Sequence, residues 1–199
     1  MKVILASNNQ NKIREMREIL APTGWEILSM AEAGIHADPD ENGETFEENS
    51  LIKARCIMEL SGMPAIADDS GITVDALDGA PGVHSARYGG EAYPTDYDRN
   101  LLLLRNMDQV PDGARGAQFV DVITMACPDG TVISARGELP GEILRDFRGD
   151  GGFGYDPLFY IPEAGCTMAE LSAEKKNEIS HRARALRAFL GKVDQNADK

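Results

Sequence analysis

The chain has 199 residues, of which 42% are hydrophobic and 27% are charged, and it carries a net charge of −13 at pH 7. This length and apolar content favour one globular domain with a substantial core. The negative charge argues against a nucleic-acid-binding protein, which presents a basic face to phosphates, but it allows a small phosphorylated ligand held by a local basic cluster.

A short apolar run, a polar loop and an amphipathic helix open the chain. Residues 1–6 predict a buried strand, and residues 13–20 place apolar side chains at helical spacing. The loop between them, residues 7–12, is Ser-Asn-Asn-Gln-Asn-Lys. Such a loop directs backbone N–H groups and the positive end of a helix dipole at an anion, and Lys12 adds a charge. Plain helix capping with Lys12 in solvent explains the same pattern.

An acidic loop and a second helix follow a predicted strand at residues 25–28. The loop, residues 31–44, carries Asp40 and Glu41, for which solubility is the ordinary explanation. Thr45 begins a capping box, and the helix is expected to stop at Gly62. This helix carries Lys53, which is either a solvated charge or a ligand-binding group.

Two adjacent carboxylates, Asp68 and Asp69, end an apolar run. We expect a short strand over residues 65–67, a break at Ser70-Gly71, and another strand over residues 72–77. Ligands collect outside the carboxyl ends of strands in open α/β sheets, and adjacent acids are tolerated mainly where a cation or donors neutralise them. Such oxygen ligands suit Mg²⁺. A solvated turn is the alternative.

A third helix and a hairpin form the middle of the chain. Thr95 is the expected N-cap of a helix whose four leucines, residues 101–104, predict burial around much of its circumference or a subunit interface. Residues 118–126 and 131–135 predict a β-hairpin. Asp121 lies inside the first of these strands, where we expect an edge position or a solvent-facing side chain.

The glycine-rich stretch at residues 148–157 contains Phe153 and Tyr155. Its glycines let the backbone approach a flat ligand closely while an aromatic ring covers it, and stacking a nucleobase contributes roughly 1–3 kcal/mol. A surface loop with its aromatic rings in the core explains the composition equally well.

The chain ends with a predicted strand at residues 158–161 and a helix. Ser180-His181-Arg182 is expected at the start of that helix, where basic residues oppose the dipole and hint at an anionic ligand, although a structural role for His181 is common. Residues 194–199 predict a disordered tail. Three widely spaced cysteines and the lack of a long apolar run predict a cytoplasmic protein with reduced thiols, no signal peptide and no membrane span.

Six motifs in this order resemble one family. They are SNNQNK at 7–12, ENSLIKA at 48–54, ADDSGI at 67–72, GAPGVHSARYGG at 79–90, GGFGYDPLF at 151–159 and KNEISHRARAL at 176–186. Together they are similar to the inosine/xanthosine triphosphate pyrophosphatases, including the bacterial dITP/XTP type. The chain departs from the family pattern at Asn8, Ser50 and Asp121.

The resemblance implies an α/β fold with a long mixed central sheet flanked by helices and two lobes around a deep active-site cleft. It implies one two-lobed domain over residues 1–193 and a homodimer. The implied reaction is Mg²⁺-dependent hydrolysis of ITP, dITP or XTP to the monophosphate and pyrophosphate, with no nucleic-acid or membrane partner. A nucleotide-binding module without turnover and a pyrophosphatase for a modified pyrimidine are the alternatives.

The resemblance also implies roles for individual residues. Asp69 is the implied proton acceptor with Asp68 beside it, and the metal ligands are Asp69 with Asp40 or Glu41. The residues implied to hold the triphosphate are Ser7, Asn8, Asn9, Gln10, Asn11, Lys12 and Lys53. Those implied to contact the nucleotide and its base are Ser70, Phe153, Gly154, Tyr155, Asp156, Lys176, His181 and Arg182.

Overall fold

Residues 1–197 are described by the structure, a computed structural model, and they contain a seven-stranded mixed sheet with five α-helices. In chain order the elements are β1 Lys2–Leu5, α1 Gln10–Leu20, β2 Glu26–Ser29, α2 Phe46–Ser61, β3 Ala65–Val74, α3 Asp96–Asn106, β4 Gly116–Ala126, β5 Val132–Ile143, β6 Phe159–Ile161, β7 Cys166–Thr167, α4 Ala173–Ile179 and α5 His181–Ala197. The strand order is β2-β1-β3-β4-β5-β6-β7, with β1 parallel to β2 and β3, and β6 antiparallel to β5 and β7. The predicted α/β class with a long mixed sheet is confirmed.

The chain divides into two compact units. The first unit contains residues 1–69, residues 121–137 and the segment from Ser180 onward, and the second contains residues 70–120 and 138–179. Each unit has its own apolar core. The core of the first includes Val3, Leu5, Ile66, Ile123, Leu186 and Phe189, and that of the second includes Ile72, Leu103, Phe119, Tyr155 and Phe159.

The ends of α2 confirm the sequence prediction. The Glu48 N–H donates to Thr45 Oγ1 at 3.1 Å, and the Thr45 N–H donates to Glu48 Oε2 at 3.1 Å, which completes a capping box. Gly62 ends the helix in the left-handed region at φ +66°. Lys53 therefore sits on a helix fixed at both ends, with its side chain buried.

The predicted break after the two aspartates is wrong. β3 runs without interruption from Ala65 to Val74. Gly71 does not form a turn but allows Ser85 to approach the strand closely, because a Cβ at position 71 would lie 2.4 Å from Ser85 Oγ. That hydroxyl accepts a hydrogen bond from the Ile72 N–H at 2.9 Å. Asp68 and Asp69 consequently lie inside a strand rather than beyond its end.

The prediction of a solvent-facing or edge position for Asp121 is also wrong. In sheet order β4 lies between β3 and β5, and every residue from Phe119 to Ala126 is buried. A polar residue in a strand indicates a solvent-facing side only when one face of the sheet is exposed to solvent. Because both faces of β4 are covered, Asp121 is 0% exposed.

Three further features differ from the predictions: the burial of α3, an additional strand, and the end of α5. In α3, Leu103 is buried but Leu101 is 41% exposed, so this helix buries one stripe rather than much of its circumference. A short strand, β7, follows β6. Helix α5 continues to Ala197, so residues 194–197 of the predicted tail extend a helix anchored by its packed apolar face, whereas residues 198–199 lie outside the described part. Within residues 1–197, no helix has the length and apolar content that crossing a bilayer requires.

Candidate active site

Two buried aspartates in β3 form the centre of the site in the first unit. Asp68 and Asp69 are both almost completely buried. Lys12 Nζ, at the start of α1, lies 2.8 Å from Asp68 Oδ2. Lys53 Nζ, from α2, lies 3.3 Å from Asp69 Oδ1. The structure thus gives each carboxylate its own lysine, and both lysines were predicted site residues.

Lys53 also contacts the acidic loop. Its Nζ donates to Glu41 Oε1 at 2.9 Å, whereas the neighbouring Asp40 is exposed. Burial alone lowers the pKa of Lys53, but Asp68, Asp69 and Glu41 outweigh it and raise the pKa above its ordinary value. Of the two predicted acids of this loop, Glu41 is the one that lies beside the aspartates.

One oxygen of Asp69 lacks a hydrogen-bond partner within residues 1–197. This oxygen, Oδ2, is buried. Burial raises the pKa of the Asp69 carboxyl above its ordinary value, and Lys53 and Lys12 offset this only in part. No three His, Cys, Asp or Glu side chains within residues 1–197 form a complete metal cage. A Mg²⁺ ion needs only one or two carboxylates when substrate phosphates and water supply its other ligands, so Asp69 and Glu41 fit this ion.

Arg182, which is predicted to contact the nucleotide and its base, contacts three buried carboxylates in the structure. The side chain is 1% exposed. Its Nη1 donates to Glu15 Oε2 at 2.5 Å, its Nη2 donates to Asp68 Oδ2 at 3.2 Å, and its Nε lies 3.1 Å from Asp121 Oδ2. A forked, fully charged donor allows these three acids to be buried together, and contact of Arg182 with a nucleotide stays a prediction.

Asp68 is ionised because of these cations. Burial raises the pKa of a carboxyl group, but Lys12, Arg182 and Lys53 together hold the pKa of Asp68 well below its usual range. The structure therefore brings together an ionised Asp68 and a more basic Asp69 in neighbouring positions of one strand.

A second cluster lies in the glycine-rich loop of the second unit. Asp156 is buried, accepts a hydrogen bond from the Phe153 N–H at 3.0 Å and receives Lys176 Nζ at 2.7 Å. The same Nζ lies 4.5 Å from the centre of the Phe153 ring. Gly152 is required here, because a Cβ at this position would lie 2.0 Å from Asp156 Oδ2. The loop thus fixes a lysine beside a half-buried aromatic ring.

Tyr155 belongs to the core rather than to an open aromatic surface. Its ring is part of the apolar core of the second unit, and its hydroxyl donates to the Ser85 carbonyl at 2.8 Å. Burial raises the pKa of this hydroxyl well above its usual value. Of the two aromatic rings in this loop, Phe153 is half-buried, whereas Tyr155 is buried in the core. Gly154 is held by its N–H, which donates to Asp96 Oδ2 at 2.7 Å.

The polar loop after β1 mainly caps α1. Asn9 Oδ1 accepts hydrogen bonds from the backbone N–H groups of Asn11 and Lys12, and Ser7 Oγ accepts one from the Asn9 N–H. Asn8 and Gln10 are exposed. The remaining predicted residues are Ser70, which is half-buried in β3, and His181, which is buried as the first residue of α5.

Two residues of the charged cluster, Glu15 and Asp121, were not predicted to be functional groups. Glu15 lies three residues after Lys12, a spacing that puts both on one helix face and could have revealed it. Asp121 interrupts the apolar run Phe-Val-Asp-Val-Ile, and a charge inside such a run is the signal of a buried ion pair.

Comparison with known proteins extends over nearly the whole chain. The profile of the Ham1 family matches residues 3–192. A dITP/XTP pyrophosphatase of Thermus thermophilus is 52% identical over 190 residues, which are 96% of this chain and 90% of that protein. A solved HAM1 protein from Coxiella burnetii has a TM-score of 0.89 and 40% identity, covering 98% of this chain and 99% of its own. The Ham1 protein of Staphylococcus aureus has a TM-score of 0.86 and 39% identity, with both chains covered completely.

We expect Arg182→Lys to destabilise the protein by at least about 3 kcal/mol, because one ammonium group cannot reach three buried carboxylates at once. Denaturant unfolding followed by circular dichroism measures this loss. Arg187→Lys, at an exposed position of the same helix, is the matched control and should change stability by no more than about 0.5 kcal/mol. Equal stability of the two variants would contradict the described role of the guanidinium.

Proposed function

The chain belongs to the Ham1 family, and from this membership we propose that it is a nucleoside triphosphate pyrophosphatase of the dITP/XTP type. It hydrolyses the non-standard purine nucleotides ITP, dITP and XTP to the monophosphate and pyrophosphate. The observation that carries this proposal is the buried Asp68-Asp69 pair with a lysine on each carboxylate, in a chain 52% identical to a dITP/XTP pyrophosphatase.

The lysines bind the phosphate chain in this proposal. Lys12 and Lys53 are ammonium groups at buried or half-buried positions of an otherwise acidic protein. Charged donors in partly desolvated surroundings attract phosphate more strongly than donors on an open surface. Backbone and side-chain groups of residues 7–11 lie beside Lys12 and complete the proposed triphosphate site.

Asp69 is the proposed proton acceptor. A raised pKa makes a carboxylate a better base than an aspartate in solvent, provided that it remains ionised at the working pH. Lys53, which holds Oδ1, keeps this group oriented and charged. Asp69 then takes the proton of the attacking water, while Asp68 stays ionised and bound to Lys12.

Asp69 Oδ2 and Glu41 are the proposed ligands of Mg²⁺. When bound, the ion supplies neutralisation of phosphate charge and a fixed position for the substrate. Glu41 is preferred to Asp40 because it is half-buried and reaches the same lysine as Asp69.

The cluster of Phe153, Asp156 and Lys176 is the proposed base site. Phe153 offers a ring for stacking, and Lys176, oriented by Asp156, offers N–H donors. Hypoxanthine and xanthine carry a 6-keto acceptor, whereas adenine carries an amino donor at this position. A donor built for the keto group is left unpaired by adenine, which penalises that base.

Mg²⁺ as the physiological metal, assembly as a homodimer and a cytoplasmic location remain proposals. The first rests on the chemistry of the donor set, and the other two rest on the family resemblance and the composition.

A panel of nucleotides tests the activity. We expect pyrophosphate release from ITP, dITP and XTP at rates at least about 100-fold above those for ATP, because the donor at the base site rejects the 6-amino group. Coupled assays for pyrophosphate and orthophosphate measure the products separately. Binding of ITP without release would identify a nucleotide-binding module, and faster release from a modified pyrimidine would identify a different substrate class.

Asp69→Asn should lower kcat for ITP by at least about 100-fold while nucleotide binding stays measurable, because the variant loses the proton acceptor but keeps the lysines. Stopped assays for turnover and calorimetry for binding provide the two readouts. Asp78→Asn, the same change at an exposed position, is the control. A kcat within threefold of the parent for Asp69→Asn would refute the assignment of the base.

Glu41→Gln should raise the Mg²⁺ concentration for half-maximal rate by about tenfold or more, because one carboxylate ligand is lost. Asp40→Asn, the identical chemical change one residue earlier, should shift it less than twofold. Rate measurements over a Mg²⁺ titration at saturating ITP decide between the two acids. A larger shift for Asp40→Asn would transfer the ligand role to Asp40.

A further inference from the structure

A buried cluster in the first unit contains more acids than cations. Lys12 and Arg182 contact Glu15, Asp68 and Asp121. Three carboxylates and two cations leave one excess negative charge when all five groups are ionised. Because a buried charge is costly, a proton on one acid stabilises these five groups, and Lys53 is a further cation that lowers the pKa of Asp68.

Arg182 links the three acids by three different nitrogens. Nη1 reaches Glu15, Nη2 reaches Asp68, and Nε faces Asp121 at 3.1 Å. The guanidinium is planar and rigid, so a contact at Nε fixes the direction of the other two arms. Asp121, which is completely buried in β4, therefore helps to determine where Nη2 meets Asp68.

Asp68 Oδ2 is shared between two cations. It lies 2.8 Å from Lys12 Nζ and accepts from Arg182 Nη2 at 3.2 Å. Because Arg182 neutralises part of the charge of Asp68, Lys12 interacts less strongly with Asp68 and attracts a second anion more strongly. If Arg182 moved away, Lys12 alone would neutralise Asp68.

The carboxyl group of Asp121 has a pKa raised to the neutral range. Burial raises the pKa of Asp121 to about 7, with Arg182 opposing this effect. The charged groups around it are Arg182 on α5, Lys12 on α1, and Asp68 and Asp69 on β3. Below this pKa Asp121 is neutral, and above it Asp121 adds a negative charge to the cluster.

We propose that Asp121 is a positioning residue for triphosphate binding, which holds the Arg182 guanidinium against Asp68 and thereby leaves Lys12 available to the phosphate chain. The inference rests on the proposed function and adds to it a residue that touches neither phosphate nor metal.

The test measures binding of an inosine triphosphate analogue with an α,β-methylene bridge, by calorimetry between pH 6.5 and 8.5. Asp121→Val removes the partner of Nε and should raise the Kd about tenfold, within the range found for residues that support charged ligands. Asp121→Asn keeps an oxygen acceptor and mimics the neutral acid, so its Kd at pH 6.5 should stay within about twofold of the parent, as expected when the geometry is kept. With rising pH the parent should lose affinity relative to Asp121→Asn, because only the parent gains the extra negative charge.

Thr124→Val is the matched control, since Thr124 is a buried polar residue of the same strand that bonds Ser50 rather than the charged cluster. Its Kd should equal that of the parent. The proposal is overturned if folded Asp121→Val binds like the parent, if Thr124→Val weakens binding equally, or if the parent and Asp121→Asn have the same pH profile. When Asp121→Val does not fold, the pH profile of Asp121→Asn decides.

The assay also separates this proposal from the proposed function. Tight binding of the analogue without pyrophosphate release from ITP by the parent would refute the enzymatic function. The comparison of Kd values would still decide the role of Asp121.

Discussion

Burial of two adjacent carboxylates inside β3 is the constraint on which the rest of the site depends. Asp68 and Asp69 are almost inaccessible to solvent, and an isolated ionised carboxylate at such a depth costs several kcal/mol. The fold meets this cost with one cation from each of three helices. These are Lys12 of α1, Lys53 of α2 and Arg182 of α5. The helices thereby supply charge as well as apolar packing.

The compensation differs between the two aspartates, and this difference is the basis of the separate roles proposed for them. Asp68 receives Lys12 and Arg182, which hold its pKa well below the usual range. Burial raises the pKa of Asp69, which receives Lys53 on one oxygen only, and within residues 1–197 its Oδ2 has no hydrogen-bond partner. One carboxylate is therefore a fixed negative charge, and the other is suited to accept a proton and a metal.

Local sequence signals predicted both ends of α2 and singled out Asp68 and Asp69. The capping box at Thr45 and the stop at Gly62 depend on neighbouring residues alone, so α2 was predictable to within a residue.

Features that depend on contacts between distant parts of the chain were not predictable from local signals. Gly71 resembles a strand break, but it is a glycine because Ser85 approaches it closely. Asp121 and Arg182 are far apart in the chain, and neither residue alone reveals that they are partners. The aromatic pattern of the glycine-rich loop likewise did not distinguish Phe153 from Tyr155, whose ring is in the core.

A crystal structure with Mg²⁺ and the α,β-methylene analogue of inosine triphosphate tests the central claim most directly. The account predicts a metal ion bonded to Asp69 Oδ2, phosphate oxygens within hydrogen-bonding distance of Lys12 and Lys53, and Arg182 still bonded to Asp68. A metal ion bound without Asp69, or phosphates held away from both lysines, would contradict it.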